Sequence, residues 1–271
     1  MIHDVRASEL ARVRALFATA NDAPYDLQKV AEEKCFGDGF EGPPRVRAFG
    51  DFEGLAVTCG KYLRILAVDR SRRGRGIGTA LLRDAESLGA TVIAAEPGNY
   101  FTPGVSEEVA RFFRKRGYAE TARTQNLVCP ERSEGPPEQE PRGSFAVFAA
   151  QDDTARQRVL HFIEKTFGPI WRFEASKGAT IFHVENRGEI VGFSTHEANN
   201  RGLGFFGPTG VAESHRGRGF GRQLLLASLA DLRRLGYDRA VIPWTDAIEF
   251  YRKTCGARIE NRFVILRRKS A

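Results

Sequence analysis

Residues Val211–Leu226 read VAESHRGRGFGRQLLL: a short run ending in valine, an Arg/Gly loop, then leucines at helical spacing. Glycines at 217, 219 and 221 remove Cβ atoms where backbone N–H groups must come close to something. A loop of bare amides feeding a helix N-terminus is an anion cradle, because unpaired N–H groups and the positive end of the helix dipole act together. Arg216, Arg218 and Arg222 surround it with full charges, and Val211 and Phe220 complete the stretch. The guest that such a loop predicts is a pyrophosphate.

Two familiar phosphate loops are excluded. A Walker A loop needs Lys-Ser/Thr after its last glycine, where this chain has Arg222-Gln223. The dinucleotide pattern G-x-G-x-x-G meets Arg222 or Leu224 at its third glycine. R-x-x-G-x-G does fit, through Arg216, Gly219 and Gly221. After a strand ending in Val211 and before Leu224-Leu225, this motif resembles the coenzyme A loop of the GNAT superfamily of N-acetyltransferases.

The motif occurs twice. Positions 68–82 read VDRSRRGRGIGTALL, and Arg73-Gly-Arg-Gly-Ile-Gly78 aligns without a gap on Arg216-Gly-Arg-Gly-Phe-Gly221. Further on, Phe112-Phe-Arg-Lys115 matches Phe250-Tyr-Arg-Lys253, so the first copy carries additional residues between its motifs. Ordered matches at nearly constant offset indicate an internal duplication. The second candidate cofactor loop is therefore Val68, Arg73, Gly74, Arg75, Gly76, Ile77, Gly78 and Thr79. The resemblance implies two tandem α/β (α+β) modules, each a mixed, mostly antiparallel sheet flanked by helices with splayed central strands. The expected boundaries are 1–128 and 144–271, joined by a linker at 129–143. Within it, PERSEGPPEQEPR (130–142) has four prolines, four glutamates and no large apolar side chain, so it cannot bury enough surface to order itself.

Composition is that of a globular protein, with 42% hydrophobic and 28% charged residues in a chain of 271. No apolar run approaches the roughly 18–20 residues that span a membrane, and the Met1-Ile-His start is no secretory signal. Cys35, Cys59, Cys129 and Cys255 show no metal-ligand or disulfide spacing, which points to reduced thiols, a cytoplasmic location and no metal. The net charge of +7 comes almost wholly from arginine, whose forked donors suit phosphates and carboxylates. The basic residues are dispersed and lack the interleaved aromatics of nucleic-acid-binding tracts, so no nucleic acid is expected.

Along the first copy, the pattern predicts strands at Ile2–Arg6, Arg45–Phe49, Gly54–Cys59, Tyr62–Val68, Thr91–Ala95 and Ala119–Val128. Helices are expected at 10–17, at Leu27–Phe36, from Ile77 to a stop at Gly89, and at Val109–Arg116 with Ser106 as cap. The insert Pro97–Val105, PGNYFTPGV, reads as either a binding loop or a long turn, with the turn slightly favoured. In the second copy, strands are expected at Phe145–Phe148, Ala179–Glu185, Glu189–Ser194, Gly202–Val211, Arg239–Ile242 and Ala257–Arg267. Helices are expected at Thr154–Phe167 and from the loop to Leu235-Gly236, about one turn longer than its counterpart. Pro208 inside a strand implies an edge unpaired at that point.

Acyl transfer from a thioester to an amine needs a cofactor anchor, a polarised carbonyl, a neutral amine and a proton for the departing thiolate. The resemblance places a tyrosine at the position of Tyr251 as the proton donor; without it, Tyr251 is a packing aromatic. The first copy has Phe113 there, which has no proton to give, so the amino-terminal module is expected not to catalyse. No general base is legible in Gly202–Val211. His196 and Glu197 are candidates for the base or for contact with the acceptor, as are Asp246 and Trp244, although Asp246-Ala-Ile-Glu249 also fits a capping box and Trp171 and Trp244 also fit core packing. These residues imply an N-acetyltransferase that moves an acetyl group from acetyl-CoA to a small primary amine in a ternary complex, no Cys–His pair being evident for an acyl-enzyme. The alternatives are a non-catalytic acyl-CoA sensor and a nucleic-acid binder.

Overall fold

A computed structural model describes residues 1–130 and 146–269; most of the expected linker, and Phe145, lie outside the described residues. The chain divides into two compact units, Met1–Gln125 with Asn261–Ala271, and Asn126–Glu260. Each is a mixed α/β assembly with a mostly antiparallel sheet.

The first unit runs β1 (Ile2–Asp4), α1 (Leu10–Ala20), α2 (Ala31–Phe36), β2 (Arg45–Phe49), β3 (Gly54–Cys59), β4 (Tyr62–Val68), α3 (Ile77–Ser87), β5 (Val92–Ile93), α4 (Glu107–Arg114) and β6 (Tyr118–Cys129). Strands β1 to β4 form an antiparallel meander. β4 and β5 then pair in parallel only at Tyr62↔Val92 and Leu63↔Ile93. Beyond that point Ala94 and Ala95 take φ of 53°, which ends β5 two residues before the expected boundary and splays the strands. Helix α3 covers the sheet with Ile77, Leu81, Leu82 and Ala85, and these pack with Ala56, Leu63, Ile93, Ala110 and Phe113. Gly89, at φ 98°, closes α3 as its C′ residue. Ser106 caps α4 by accepting a hydrogen bond from the Val109 amide at 3.3 Å. α2 is shorter than expected, starting at Ala31 because 27–30 are turns.

The second unit runs β7 (Val147–Ala149), α5 (Asp153–Phe167), α6 (Pro169–Ser176), β8 (Thr180–Asn186), β9 (Glu189–His196), β10 (Phe206–Val211), α7 (Phe220–Arg234), β11 (Ala240–Ile242) and α8 (Ile248–Cys255), and the chain ends with β12 (Arg258–Arg268). Strands β7 to β10 are antiparallel neighbours. The expected hairpin about Asn186-Arg187-Gly188 forms, with Arg187 and Gly188 at φ 54° and 82°. Register shifts between Phe206 and Thr209, so Pro208 lies where the ladder breaks. Helix α7 has 15 residues against 11 in α3, one turn longer as its sequence predicts. Sequence patterning missed α6: the expected helix ends at Phe167, but proline at the first helical position starts a new helix after Gly168.

The unit boundaries differ from the expected modules at their last strands. β12 counts with the first unit, where Leu266 and Arg267 pair with Ile93 and Val92. The end of β6 counts with the second, where Leu127, Val128 and Cys129 pair with Ile242, Val241 and Ala240. A strand's pattern fixes its faces but not which equivalent edge it joins. No described helix is long and apolar enough to cross a membrane.

Candidate active site

The two Arg/Gly loops fold alike. Each strand end leads into one 3-10 turn, Arg70–Arg72 or Glu213–His215. The motif arginine then turns back to the strand: Arg73 Nε donates to the Val68 carbonyl at 3.2 Å, and Arg216 Nε to the Val211 carbonyl at 3.3 Å. Gly76 and Gly219 are the N-caps of α3 and α7, at φ 85° and 88°. Gly74 and Gly217 take φ of 78° and 76°. A Cβ at any of these four would meet nothing within 4 Å. The glycines thus permit a left-handed backbone and leave open space before the helix N-terminus. Ile77 and Phe220 have buried side chains, so these two present only backbone to a guest. Gly78 and Gly221 face phenylalanines: a Cβ would lie 3.5 Å from Phe112 and 3.6 Å from Phe250.

Electrostatics separate the copies. In the first loop, Asp22 binds Arg73 at 2.7 Å and Arg70 at 3.2 Å. Asp69 adds a carboxylate, held down to about 2 by hydrogen bonds from the Ser71 hydroxyl, Thr19 and the Ser71 amide. In the second loop the position of Asp69 is Ala212. Arg216 and Arg218 donate to the Val211 and Ser214 carbonyls, and among the described residues no carboxylate pairs with them or with Arg222. The second loop does carry Glu213 where the first has Arg70, so the difference lies in the pairing of its motif arginines rather than in a larger positive charge.

The splay of the second unit repeats that of the first. Phe205 bridges Val241 in parallel, as Leu63 meets Ile93, and β10 and β11 then part. Tyr251, on α8, is buried and its ring contacts Phe206 at 6.3 Å and Phe250 at 5.0 Å. Burial pushes its phenol up from the ordinary value, against a hydrogen bond with Thr245, so it holds its proton at neutral pH. Phe113 occupies the corresponding place in the first unit, edge-on to Phe112 and Tyr118 at 5.1 and 5.7 Å. Phe167 and Trp171 stack at 5.0 Å and lie on β10, where a Cβ at Gly210 would meet Phe167 at 2.6 Å. Trp171 is thus half-buried against the core of the second unit.

A cavity of about 1090 Å³ opens in the first unit. It follows β4 from Leu63 to Val68, takes in the loop from Arg73 to Thr79, and is walled by Phe112 and Phe113. The insert 97–105 is part of that wall, through Phe101, Thr102, Gly104 and Val105. That placement favours the binding-loop alternative over the plain turn. Asn99 anchors the insert, donating to the Asp38 carbonyl at 2.9 Å and accepting from the buried Lys34 ammonium at 2.9 Å. Behind it, Arg64 and Glu96 form a fully buried pair at 2.5 and 2.7 Å.

The candidate acceptor contacts are mostly committed elsewhere. His196 is fully buried; its Nε2 meets Asp231 on α7 at 2.9 Å, and its Nδ1 has no partner among the described residues. Asp231 also receives Arg234 and Thr180. Burial pushes its carboxyl up, but these bonds outweigh it and hold the group below its ordinary value. Glu197 accepts hydrogen bonds from the amides of Gly202, Gly204 and Phe205 and from the Tyr237 hydroxyl. It staples 197–205 into a loop, which is why the expected strand starts at Phe206 rather than Gly202. Both side chains are tied to groups within the second unit. Helix α8 begins with Ala247 as N-cap, one residue later than the expected capping box, and Glu249 pairs with Arg252 at 2.7 Å. Asp246 and Trp244 are both exposed, and the Trp244 amide donates to Asn126 at 3.0 Å. Glu197 and Asp231 show no motif in sequence; their roles follow from contacts 5 to 40 residues away.

Residues 144–257 match the model of the acetyltransferase (GNAT) family. No curated protein matches the chain. Among solved structures, it is similar to the GCN5-related glucosamine N-acetyltransferase region of a fungal multi-domain GH3 beta-N-acetylglucosaminidase, at TM-score 0.75 and 17% identity over 98% of this chain. The chain covers only 38% of that enzyme. A tandem GNAT protein from the clavulanic acid biosynthesis pathway aligns at TM-score 0.68 and 16% identity, over 98% of this chain and 97% of the other. A GCN5-related N-acetyltransferase from Sphaerobacter thermophilus aligns at 0.67 and 17%, over 99% and 95%. At such identities these structures show a shared fold. The family match is confined to residues 144–257, less than half of the chain.

Proposed function

We propose that this chain is an N-acetyltransferase with two GNAT-like modules, in which the second unit moves an acetyl group from acetyl-CoA to a primary amine within a ternary complex. The observation that carries this reading is the pairing of a loop rich in uncompensated arginine with a protonated, buried Tyr251 beside the splay. The residues of the second loop, from Val211 to Arg222, would hold the pyrophosphate on amides and charges. Charge-assisted bonds contribute about 1.5–3 kcal/mol each, enough in combination for micromolar binding. Tyr251 would give its proton to the departing thiolate as the amine attacks the thioester carbonyl. With His196 and Glu197 engaged inside the fold, the amine enters neutral or loses its proton to water, and the exposed Asp246 and Trp244 remain as acceptor contacts. The first unit, with Phe113, would bind the cofactor without turning it over.

The test is release of free thiol from acetyl-CoA across a panel of amines, followed by Tyr251→Phe. Turnover should fall about 10²–10⁴-fold, the usual effect of a positioned general acid. The KM for acetyl-CoA should move little, because the phosphates are held elsewhere. Near-full turnover of Tyr251→Phe with chemistry rate-limiting would sink the assignment. A second reading, a non-catalytic acyl-CoA sensor, is favoured by one observation: the cavity of the first unit lies beside Phe113, which has no proton to give. Binding of acetyl-CoA with no thiol release from any amine would select it.

A further inference from the structure

Five arginines line the cavity of the first unit: Arg64, Arg70, Arg72, Arg73 and Arg116. Four face carboxylates. Arg64 pairs with Glu96, Arg70 and Arg73 share Asp22, and Arg72 lies 3.5 Å from Glu53. Among the described residues, Arg116 alone of the five has only neutral partners. Its Nε and Nη2 donate to the Thr79 hydroxyl at 3.1 and 2.8 Å, and its Nη1 donates to the Phe112 carbonyl at 2.7 Å. The guanidinium also lies 3.7 Å above the Phe112 ring. These contacts fix the fork in place without cancelling its charge, and leave further N–H groups for an anion.

The duplication carries the same signal independently. Thr79 corresponds to Arg222, and Arg116 to Thr254. The second copy thus exchanges the two residue types, and each copy keeps one cation over the first turn of the helix after the loop. Arg222, too, pairs with no carboxylate among the described residues.

Position along the cavity narrows the guest. The splay begins at Leu63, while Phe112 and Gly78 meet at Val68, about 16 Å further along β4 at 3.3 Å per residue. A thioester arm running toward Leu63 leaves the nucleoside end of the cofactor at Arg116. We infer that Arg116, positioned by Thr79 and Phe112, binds the phosphate on the ribose of a coenzyme A ligand, and so selects 3′-phosphorylated coenzyme A over its dephospho form. This rests on the reading of the loops as coenzyme A sites.

The test uses the full chain carrying Gly219→Glu, so that calorimetry reads the first loop alone. Coenzyme A should bind at least ten-fold more tightly than 3′-dephospho-coenzyme A, with a steeper dependence on salt. Arg116→Gln, which can keep a bond to Thr79, and Arg116→Met should both abolish that preference while leaving the affinity for the dephospho form unchanged. Arg116→Lys should retain part of it, since the charge remains and the fork is lost. Equal weakening of both ligands would assign Arg116 to the pyrophosphate, and an unchanged preference would make it structural; either overturns the inference. Absence of binding by both ligands before Arg116 is altered would instead refute the first loop as a coenzyme A site. Thermal unfolding of each variant separates misfolding from lost recognition.

Discussion

Gly219→Ala separates a glycine kept for the backbone from one kept for a guest. Gly219 has φ 88° and ψ −8° as N-cap of α7, and a Cβ there touches nothing within 4 Å. The folded chain therefore pays only for an L-residue in the left-handed region, about 1–2 kcal/mol. That is a fall of about 2–8 °C in Tm for a body of this size. Binding should suffer more. The new methyl stands in the open space before the helix N-terminus, and moving a pyrophosphate off two amides forfeits two charge-assisted bonds, about 3 kcal/mol at the lower end of their range. Affinity for coenzyme A at that loop should then drop about 100-fold. Calorimetry on the unaltered chain should show two sites. Gly219→Ala should weaken one of them, and Gly76→Ala, with φ 85° and equally open space, the other. If either variant lowers Tm by the expected amount while coenzyme A binds as before, the loops serve the backbone alone and the anion cradle is refuted.

Further outcomes follow from the interior. Asp231→Asn leaves buried His196, Thr180 and Arg234 with a weaker acceptor, and should cost about 1–3 kcal/mol in denaturant unfolding. In the unaltered chain, the depressed carboxyl of Asp231 contributes stability that is fully present above its ordinary value of 3.8 and is lost as pH falls below it; Asp231→Asn should flatten unfolding midpoints across that acid window. If the two chains lose stability in parallel there, the His196–Asp231 contact is not what holds α7 to β9. A fragment 144–271 would carry β12 without β5 and lack the Leu127–Cys129 partner of β11, so it should fail to unfold cooperatively, whereas 126–260 should fold better. A sharp transition in 144–271 alone would mean that β12 can substitute at the edge that the end of β6 occupies.

How much was legible depends on the range of the interactions involved. The duplicated Arg/Gly loops, the helices after them and the mixed sheet could be read from spacing, because glycine at positive φ, caps and amphipathic periods act within a few residues. Sequence also separated the copies at one atom, the hydroxyl of Tyr251 against the bare ring of Phe113. What only the tertiary structure decided lies farther apart along the chain. His196 and Glu197 look like acceptor contacts until Asp231 on α7 and the amides of 202–205 claim them, since a buried polar group must find whatever partner packing supplies. The insert 97–105 became a cavity wall through Asn99 reaching Lys34 and Asp38. The uncancelled charge of Arg116 appeared only once Asp22, Glu53 and Glu96 were seen to take its neighbours. The last strands could not be assigned from their pattern, because two equivalent strands offer the same alternation to two equivalent edges, and only the folded contacts choose between them.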